Sequence, residues 1–161
     1  MTTLAVQRFR PIAVAALAAI FVAVMGATIT DLGPWYQQLT KPSWQPPDWL
    51  FGPAWTLIFA LAALSAVEAW RGATGSSRSL LVGLFCLNGF LNVLWSLLFF
   101  RLQRPDLALY EVVLLWLSIL WLILVLPRYS VRASRLLFPY LLWVSFAAIL
   151  NLAVVRLNAP F

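Results

Sequence analysis

The chain has 161 residues, of which 63% are hydrophobic and 10% are charged, and its formal net charge is +6. Soluble domains are about half apolar and about a quarter charged, so this composition excludes an ordinary water-soluble domain and indicates a protein dissolved in a lipid bilayer. The lack of histidine and the single cysteine exclude an internal disulfide, a His/Cys zinc site and a histidine ligand for haem, so we expect no metal site.

Five apolar segments are each long enough to cross about 30 Å of hydrocarbon as a helix. They cover residues 11–30, 49–70, 80–100, 107–126 and 134–155. Helices are expected because backbone polar groups in lipid must form hydrogen bonds within their own segment. The fold prediction is therefore all-α: one integral membrane domain over residues 1–161, built as a bundle of five transmembrane helices.

The first of these segments also has features of a signal peptide, since Arg8 and Arg10 precede its apolar stretch and small residues end it. We expect it to be retained as a true span. Its alanines recur every four residues, a spacing that lets two helix backbones approach closely in lipid. This stripe fits packing inside the bundle as well as a contact between two copies. Its members are Ala15, Ala19, Ala23 and Ala27.

The segment that joins the first two spans, residues 31–48, is longer than the other connectors and has a different composition. The stretch 35–56 contains four tryptophans and four prolines. Proline restricts the backbone, and indole provides a large, stiff apolar face. These properties favour an ordered lid over a cavity and an interfacial loop with aromatic anchors about equally. We call residues 31–48 the lid segment.

The other connectors, residues 71–79, 101–106 and 127–133, are short and polar. An odd number of spans places the termini on opposite sides, with seven basic residues on the N-terminal side and four on the other. In an inner membrane this bias favours a cytoplasmic N-terminus, while an outer membrane or a mitochondrial outer membrane stays open. Because the basic residues occur singly or in pairs between apolar runs, we expect the bilayer as a partner and no nucleic acid.

Three of the later segments carry polar or aromatic residues at four-residue spacing, so each set lies on one helix face. The sets are Phe51, Trp55 and Phe59; Asn88, Asn92 and Ser96; and Trp143, Ala147 and Asn151. With a rise of about 1.5 Å per residue, four residues lie about 6–12 Å below the membrane face that carries the lid segment: Trp55, Asn92, Glu111 and Asn151. Polar groups in hydrocarbon usually face the bundle interior. These positions predict a pocket for a large planar or polycyclic apolar ligand.

Three runs of the sequence are distinctive: WYQQLTKPSWQPPDWLFGPAWT (35–56), LNVLWSLLFF (91–100) and RLLFPYLLWVSFAAILN (135–151). In order and spacing they closely resemble the translocator protein family, which includes the bacterial tryptophan-rich sensory proteins and the mitochondrial peripheral benzodiazepine receptor. The similarity covers nearly the whole chain. It implies a five-helix bundle that forms homodimers and binds porphyrins such as protoporphyrin IX, benzodiazepine-site ligands and, in some members, cholesterol.

The family motifs, transferred residue by residue, imply ligand-binding residues in the lid segment and in three helices. The helix stripes and the depth of residues in the membrane add Phe51, Glu111 and Asn151. The predicted ligand-binding residues are Trp35, Tyr36, Trp44, Pro46, Trp49, Phe51, Trp55, Asn92, Trp95, Glu111, Trp143, Ala147 and Asn151.

Two departures from the family pattern bear on cholesterol binding and on whether the protein is bacterial. No tyrosine precedes Arg156, where the consensus of sterol-binding members requires one, and this speaks against tight cholesterol binding. Leu97 and Leu98 stand where animal members have prolines, which favours a bacterial protein.

The predicted function is binding of porphyrins and other polycyclic hydrophobic ligands, in tetrapyrrole homeostasis, transport or stress signalling. No covalent cofactor is expected. One alternative is an enzyme that degrades porphyrin with light and oxygen, for which the resemblance points to Trp55 and Trp143. Another is a transporter of porphyrin or sterol, although five spans of this pattern lack the repeat symmetry that alternating access usually requires.

Overall fold

Five long apolar helices make up most of the chain in the computed structural model, which describes the backbone of residues 2–161 and the side chains of residues 10–161. The helices long and apolar enough to cross a membrane are α1 (Thr2–Ile29), α3 (Phe51–Gly72), α4 (Ser76–Ser96), α5 (Pro105–Val125) and α7 (Phe138–Asn158). Two short helices, α2 (Pro34–Gln38) and α6 (Val131–Arg135), lie in connecting segments. Residues 2–161 contain no strand, and the prediction of an all-α fold with five spans is confirmed.

Helix boundaries differ from the predicted ones mainly at the connectors. α4 begins at Ser76, so the connector predicted over residues 71–79 shortens to residues 73–75. Gly75 has a φ of +52°, a left-handed conformation that glycine adopts readily, and this turn reverses the chain. The predicted connector was too long because Gly75 is the N-cap of α4, so the polar residues after it form the first turn of the helix instead of extending the loop.

The fifth predicted segment is divided in two, because α6 ends at Arg135 and α7 begins at Phe138. Pro139 lies in the first turn of α7, where the missing amide hydrogen of proline breaks no helical bond. Short turns of other helix types extend three of the long helices: 3₁₀ turns at Asp48–Leu50 and Leu126–Arg128, and a π-helical turn at Leu97–Arg101.

α5 packs against α4 on one side and α7 on the other. Ile119 and Leu122 on its inner face are 0% and 1% exposed. A buried amide links it to α4, since Asn88 Nδ2 donates to Ser118 Oγ at 2.9 Å. The outer helix faces are apolar, and Leu124 is 67% exposed. Such contiguous exposed apolar surface marks the faces that contact lipid.

α1 packs along α3 and α4 through the side that carries its alanine stripe. Ala15, Ala19 and Ala23 are half-buried, whereas Val14 and Leu17 on the outer side are exposed. The stripe therefore contributes to packing inside the bundle, which was one of its two predicted roles. A contact between two copies of the chain stays a prediction.

Gly72 lets the end of α3 pass close to the connection between α5 and α6. A Cβ atom at this position would lie 2.2 Å from the backbone oxygen of Tyr129 and 2.9 Å from its carbonyl carbon. We expect Gly72→Ala to lower the free energy of unfolding by about 1–3 kcal/mol, because a backbone segment must shift to admit the methyl group. Thermal unfolding in detergent micelles measures this effect. Gly83→Ala is the control, since a Cβ there meets no atom within 4 Å, and equal melting temperatures for both variants would contradict the prediction.

Candidate ligand-binding cavity

A cavity of about 710 Å³ lies in the half of the bundle next to the lid segment. α1, the lid segment, α3, α4 and α7 all contribute to its wall. Its volume falls within the range of about 300–1,000 Å³ that is usual for small-molecule sites. Nine aromatic side chains line it: Tyr36, Trp49, Phe51, Trp55, Phe59, Trp95, Phe99, Phe100 and Trp143. A wall of this kind suits a large, flat and mainly apolar molecule.

Trp55 connects the aromatic groups of α3 and α7. Its ring stacks on Phe59 one turn further along α3, with ring centroids 5.4 Å apart and an interplanar angle of 24°. It also meets Trp143 of α7 edge to face, with centroids 6.5 Å apart and 87° between the planes. The two indoles that the resemblance singles out for photo-oxidation thus lie next to each other on the wall.

The polar stripe of α4 forms part of the wall and joins α4 to α7. Asn92 Nδ2 donates a hydrogen bond to Tyr140 Oη over 3.1 Å, and both residues are buried. An unpaired polar group in such a place costs about 1–3 kcal/mol, so this bond holds the Asn92 amide in one orientation. Asn151, three turns along α7 from Tyr140, donates from Nδ2 to the backbone oxygen of Pro105 at 2.9 Å.

Three residues of the wall carry buried polar atoms that have no hydrogen-bond partner among the described residues. These atoms are Trp95 Nε1, Trp143 Nε1 and Asn151 Oδ1. Buried polar groups in proteins are nearly always hydrogen-bonded, and an exception usually has a functional or solvent-related reason. All three atoms are covered by other atoms of the wall and do not face the open space of the cavity.

Side-chain hydrogen bonds that join Tyr36 to the C-terminal end of the lid segment hold this segment over the cavity. Tyr36 Oη donates to Asp48 Oδ1 at 2.9 Å, and Gln45 Nε2 lies 3.2 Å from each of these two oxygens. Burial, together with the hydrogen bond to the Asp48 carboxylate, raises the pKa of Tyr36 to about 12. The Tyr36 hydroxyl therefore stays protonated, and remains a donor, at neutral pH.

The middle of the lid segment is fastened to the end of α7. The backbone amide of Thr40 donates to Asn158 Oδ1 at 2.8 Å, and Asn158 Nδ2 donates to the Thr40 oxygen at 2.9 Å. The lid segment also has an outer side, since Trp44 is 47% exposed, and Trp49, which directly follows the segment, is 72% exposed. It therefore lies over the cavity, as one of its two predicted roles requires, while a role of its exposed indoles as anchors at the membrane surface stays a prediction.

Nine of the thirteen predicted binding residues lie on the cavity wall: Tyr36, Trp49, Phe51, Trp55, Asn92, Trp95, Trp143, Ala147 and Asn151. The structure does not bring Trp35, Trp44, Pro46 or Glu111 to the wall. The Trp35 ring packs edge to face on Phe99 with centroids 6.1 Å apart, and the Trp44 ring packs on Phe146 with centroids 5.8 Å apart. Ligand contact by these four residues stays a prediction.

Glu111 was predicted to line the cavity from its depth in the membrane, but it does not lie on the wall. It is 5% exposed, and neither carboxyl oxygen has a hydrogen-bond partner among the described residues. No described residue of α5 lines the cavity, so Glu111 lies in the packed interior at the predicted level but away from the wall. Depth places a residue along the helix axis and leaves open which neighbour it faces.

α1 contributes to the wall where the sequence argument expected α5. Its lining residues are Ala23, Val24, Gly26 and Ala27, and Thr30 directly after the helix also lines the cavity. These side chains are small and carry neither an amide nor an aromatic ring, so a search for polar and aromatic residues missed them. The small residues at the end of the alanine stripe were the available signal. Lys41 and Asp48 of the lid region also line the cavity and were not predicted.

Known proteins match this chain over most of its length. The model of the family described as "TspO/MBR family" matches residues 12–157. The "Tryptophan-rich protein TspO" of Chlorobaculum tepidum is 44% identical over 126 residues, which are 77% of this chain and 79% of that relative. The "Tryptophan-rich sensory protein" of Cereibacter sphaeroides is 34% identical over 143 residues, 86% of this chain and 89% of its own. The "Translocator protein" of Sus scrofa is 36% identical over 131 residues, 77% and 75% of the two chains.

Proposed function

The chain belongs to the TspO/MBR family and is a multi-pass integral membrane protein, and we propose that it binds a porphyrin such as protoporphyrin IX, or another planar polycyclic molecule, in the cavity beneath the lid segment. The observation that carries this proposal is the cavity itself, with about 710 Å³ of space and nine aromatic rings in its wall. A porphyrin is a flat aromatic macrocycle, and it fits walls of this chemistry better than an ion or a sugar does.

The orientation of the indoles supports a flat ligand. Trp55 and Trp143 stand nearly perpendicular, so one ring can stack on a macrocycle face while the other meets its edge. Offset stacking and edge-to-face contacts are the favoured aromatic geometries, and each contributes about 0.5–1.5 kcal/mol beyond the burial of area. Several such contacts together hold an aromatic ligand tightly.

The few polar groups of the wall support a ligand that is not purely apolar. Ring nitrogens and peripheral substituents of a porphyrin offer donors and acceptors to polar side chains of the wall, among them Gln45, Thr56 and Asn92. Polar groups in an otherwise apolar pocket set the orientation and specificity of the ligand. The same cavity also accepts other polycyclic molecules of similar size.

We further propose that the protein serves tetrapyrrole homeostasis, transport or stress signalling as a homodimer in a bacterial membrane. The excess of basic residues on the N-terminal side favours a cytoplasmic N-terminus in an inner membrane. The lid segment and the end of α7, which are joined through Thr40 and Asn158, would then lie on the opposite side of that membrane.

Porphyrin titration of the detergent-solubilised protein tests the binding proposal. We expect saturable quenching of tryptophan fluorescence and a shift of the porphyrin absorption band. Trp55→Ala should weaken binding about three- to thirtyfold, because it removes stacking area on the cavity wall. Trp121→Ala is the matched control, since Trp121 is 52% exposed on α5 and does not line the cavity.

The absorption band provides the comparison between variants, because each substitution also removes a fluorophore. Equal affinity in wild type, Trp55→Ala and Trp121→Ala would place the porphyrin outside the cavity. Non-saturable quenching would mean that the porphyrin merely partitions into the detergent micelle.

A further inference from the structure

Charged side chains on the cavity wall occur only at the end formed by the lid segment, which we call the mouth. Among the described residues that line the cavity, Lys41 is the one cation and Asp48 the one anion. Both belong to the lid region, whereas the deeper wall is formed by aromatic, aliphatic and neutral polar groups. A ligand that fills the cavity therefore meets charge at one end.

The Lys41 ammonium is held in place without being hydrogen-bonded. Its Nζ lies 3.6 Å from the centroid of the Tyr36 ring, a cation–π contact, and the side chain is 24% exposed. The nearest carboxylate oxygen, Asp48 Oδ2, is 3.8 Å away, and no described residue accepts a hydrogen bond from Nζ. The three donors of this ammonium group are thus available to a ligand at the mouth.

Asp48 has other partners, and the lid segment does not depend on Lys41. Asp48 Oδ1 accepts hydrogen bonds from Tyr36 Oη and Gln45 Nε2. The Thr40–Asn158 pair fastens the middle of the segment independently. These bonds do not involve the ammonium group, whose own contacts are the Tyr36 ring and the ion pair with Asp48 at 3.8 Å.

We propose that Lys41 is an anion subsite, which selects planar apolar ligands that carry a carboxylate at one edge. This inference rests on the proposed function and assigns to Lys41 the recognition of a peripheral carboxylate of the ligand. The apolar ring system occupies the cavity beside Trp55 and Trp143, and the carboxylate stays at the mouth. There it accepts a charge-assisted hydrogen bond from Lys41 Nζ.

The position of Lys41 at the mouth suits a ligand whose rings are buried and whose carboxylate is not. A carboxylate deep in the bundle would lose its hydration without compensation, whereas at the mouth it keeps contact with water and gains a cation. Because the Tyr36 ring already holds the ammonium group, little side-chain entropy is lost when the ligand binds. A partly exposed pair of this kind contributes about 1 kcal/mol, which corresponds to about fivefold in affinity.

Comparison of protoporphyrin IX with its dimethyl ester tests the subsite, because esterification removes the negative charges and keeps the macrocycle. Both porphyrins are titrated against wild type, Lys41→Gln and Lys41→Arg in the same detergent. Partition of each porphyrin into the micelle cancels when its affinity for a variant is divided by its affinity for wild type. We expect Lys41→Gln to weaken the free acid about fivefold and to leave the ester unchanged, and Lys41→Arg to retain wild-type selectivity.

Asp48→Asn provides a variant with the opposite expected effect. It removes the anion next to Lys41, while the amide oxygen can still accept from Tyr36. Affinity for the free acid should therefore rise about twofold to fivefold, with no change for the ester. If Lys41→Gln weakens binding of the free acid and of the ester equally, or weakens neither, the subsite is wrong. The proposal that porphyrin binds in the cavity would still stand. If neither porphyrin binds wild type, both the proposed function and the subsite are wrong.

Discussion

Replacing Ala147 with tryptophan should weaken porphyrin binding more than about tenfold while leaving the bundle folded. Ala147 lies on α7 one turn from Trp143 and one turn from Asn151, and all three residues line the cavity. An indole at this position would extend into the space that a macrocycle needs. The cavity itself can take up the added ring, so we expect little change in the free energy of unfolding.

Ile149→Trp is the control for this prediction, because Ile149 lies two residues along α7 and is 59% exposed on the outer face. Porphyrin affinity measured from the absorption band, together with thermal unfolding, separates loss of the site from loss of the fold. Wild-type affinity in Ala147→Trp would show that the ligand lies elsewhere. A large fall in melting temperature would show that the cavity cannot admit the indole.

Asn158→Ala should speed porphyrin release about tenfold, because it removes both hydrogen bonds that join the lid segment to α7. Each such bond stabilises the closed arrangement by about 0.5–1.5 kcal/mol, and both are lost when the lid opens. The association rate should change less, since binding from the open state does not require these bonds. The effect on affinity is then mainly an effect on the dissociation rate.

Stopped-flow displacement of bound protoporphyrin IX by excess competing porphyrin measures the dissociation rate. Leu157→Ala is the control, as Leu157 adjoins Asn158 and is 49% exposed on the outside of α7. A dissociation rate that is the same in Asn158→Ala, Leu157→Ala and wild type would mean that ligand release does not involve opening of the lid segment at this contact.

Much of the cavity could be predicted from the chain alone. The four-residue spacing of Trp143, Ala147 and Asn151 places them on one face of α7, and all three line the cavity. Trp55 and Asn92 were placed at a common depth by counting residues from the membrane face, and both lie on the wall. The resemblance to the translocator protein family added individual residues in and next to the lid segment, of which Tyr36 and Trp49 line the cavity.

The errors of the prediction share one physical origin. Glu111 has the right depth, but it belongs to α5, which lies behind the wall in the packed interior. α1 lines the cavity instead, because small side chains at its end leave space beside α3 and α4. Trp35 and Trp44 share the composition of the lid segment, yet they pack on Phe99 and Phe146.

The sequence by itself determined that the protein lies in a lipid bilayer, that it has five spans, and how deep its polar groups lie along each span. It could do so because hydropathy, segment length and helical rise are local properties of the chain. The tertiary structure alone decided which helices enclose the cavity and which residues reach its mouth. The direction in which each helix turns its stripe depends on the packing of its neighbours, which residue spacing within one helix does not contain. For the same reason, the placement of Lys41 over Tyr36 and beside Asp48 became visible only in the folded chain.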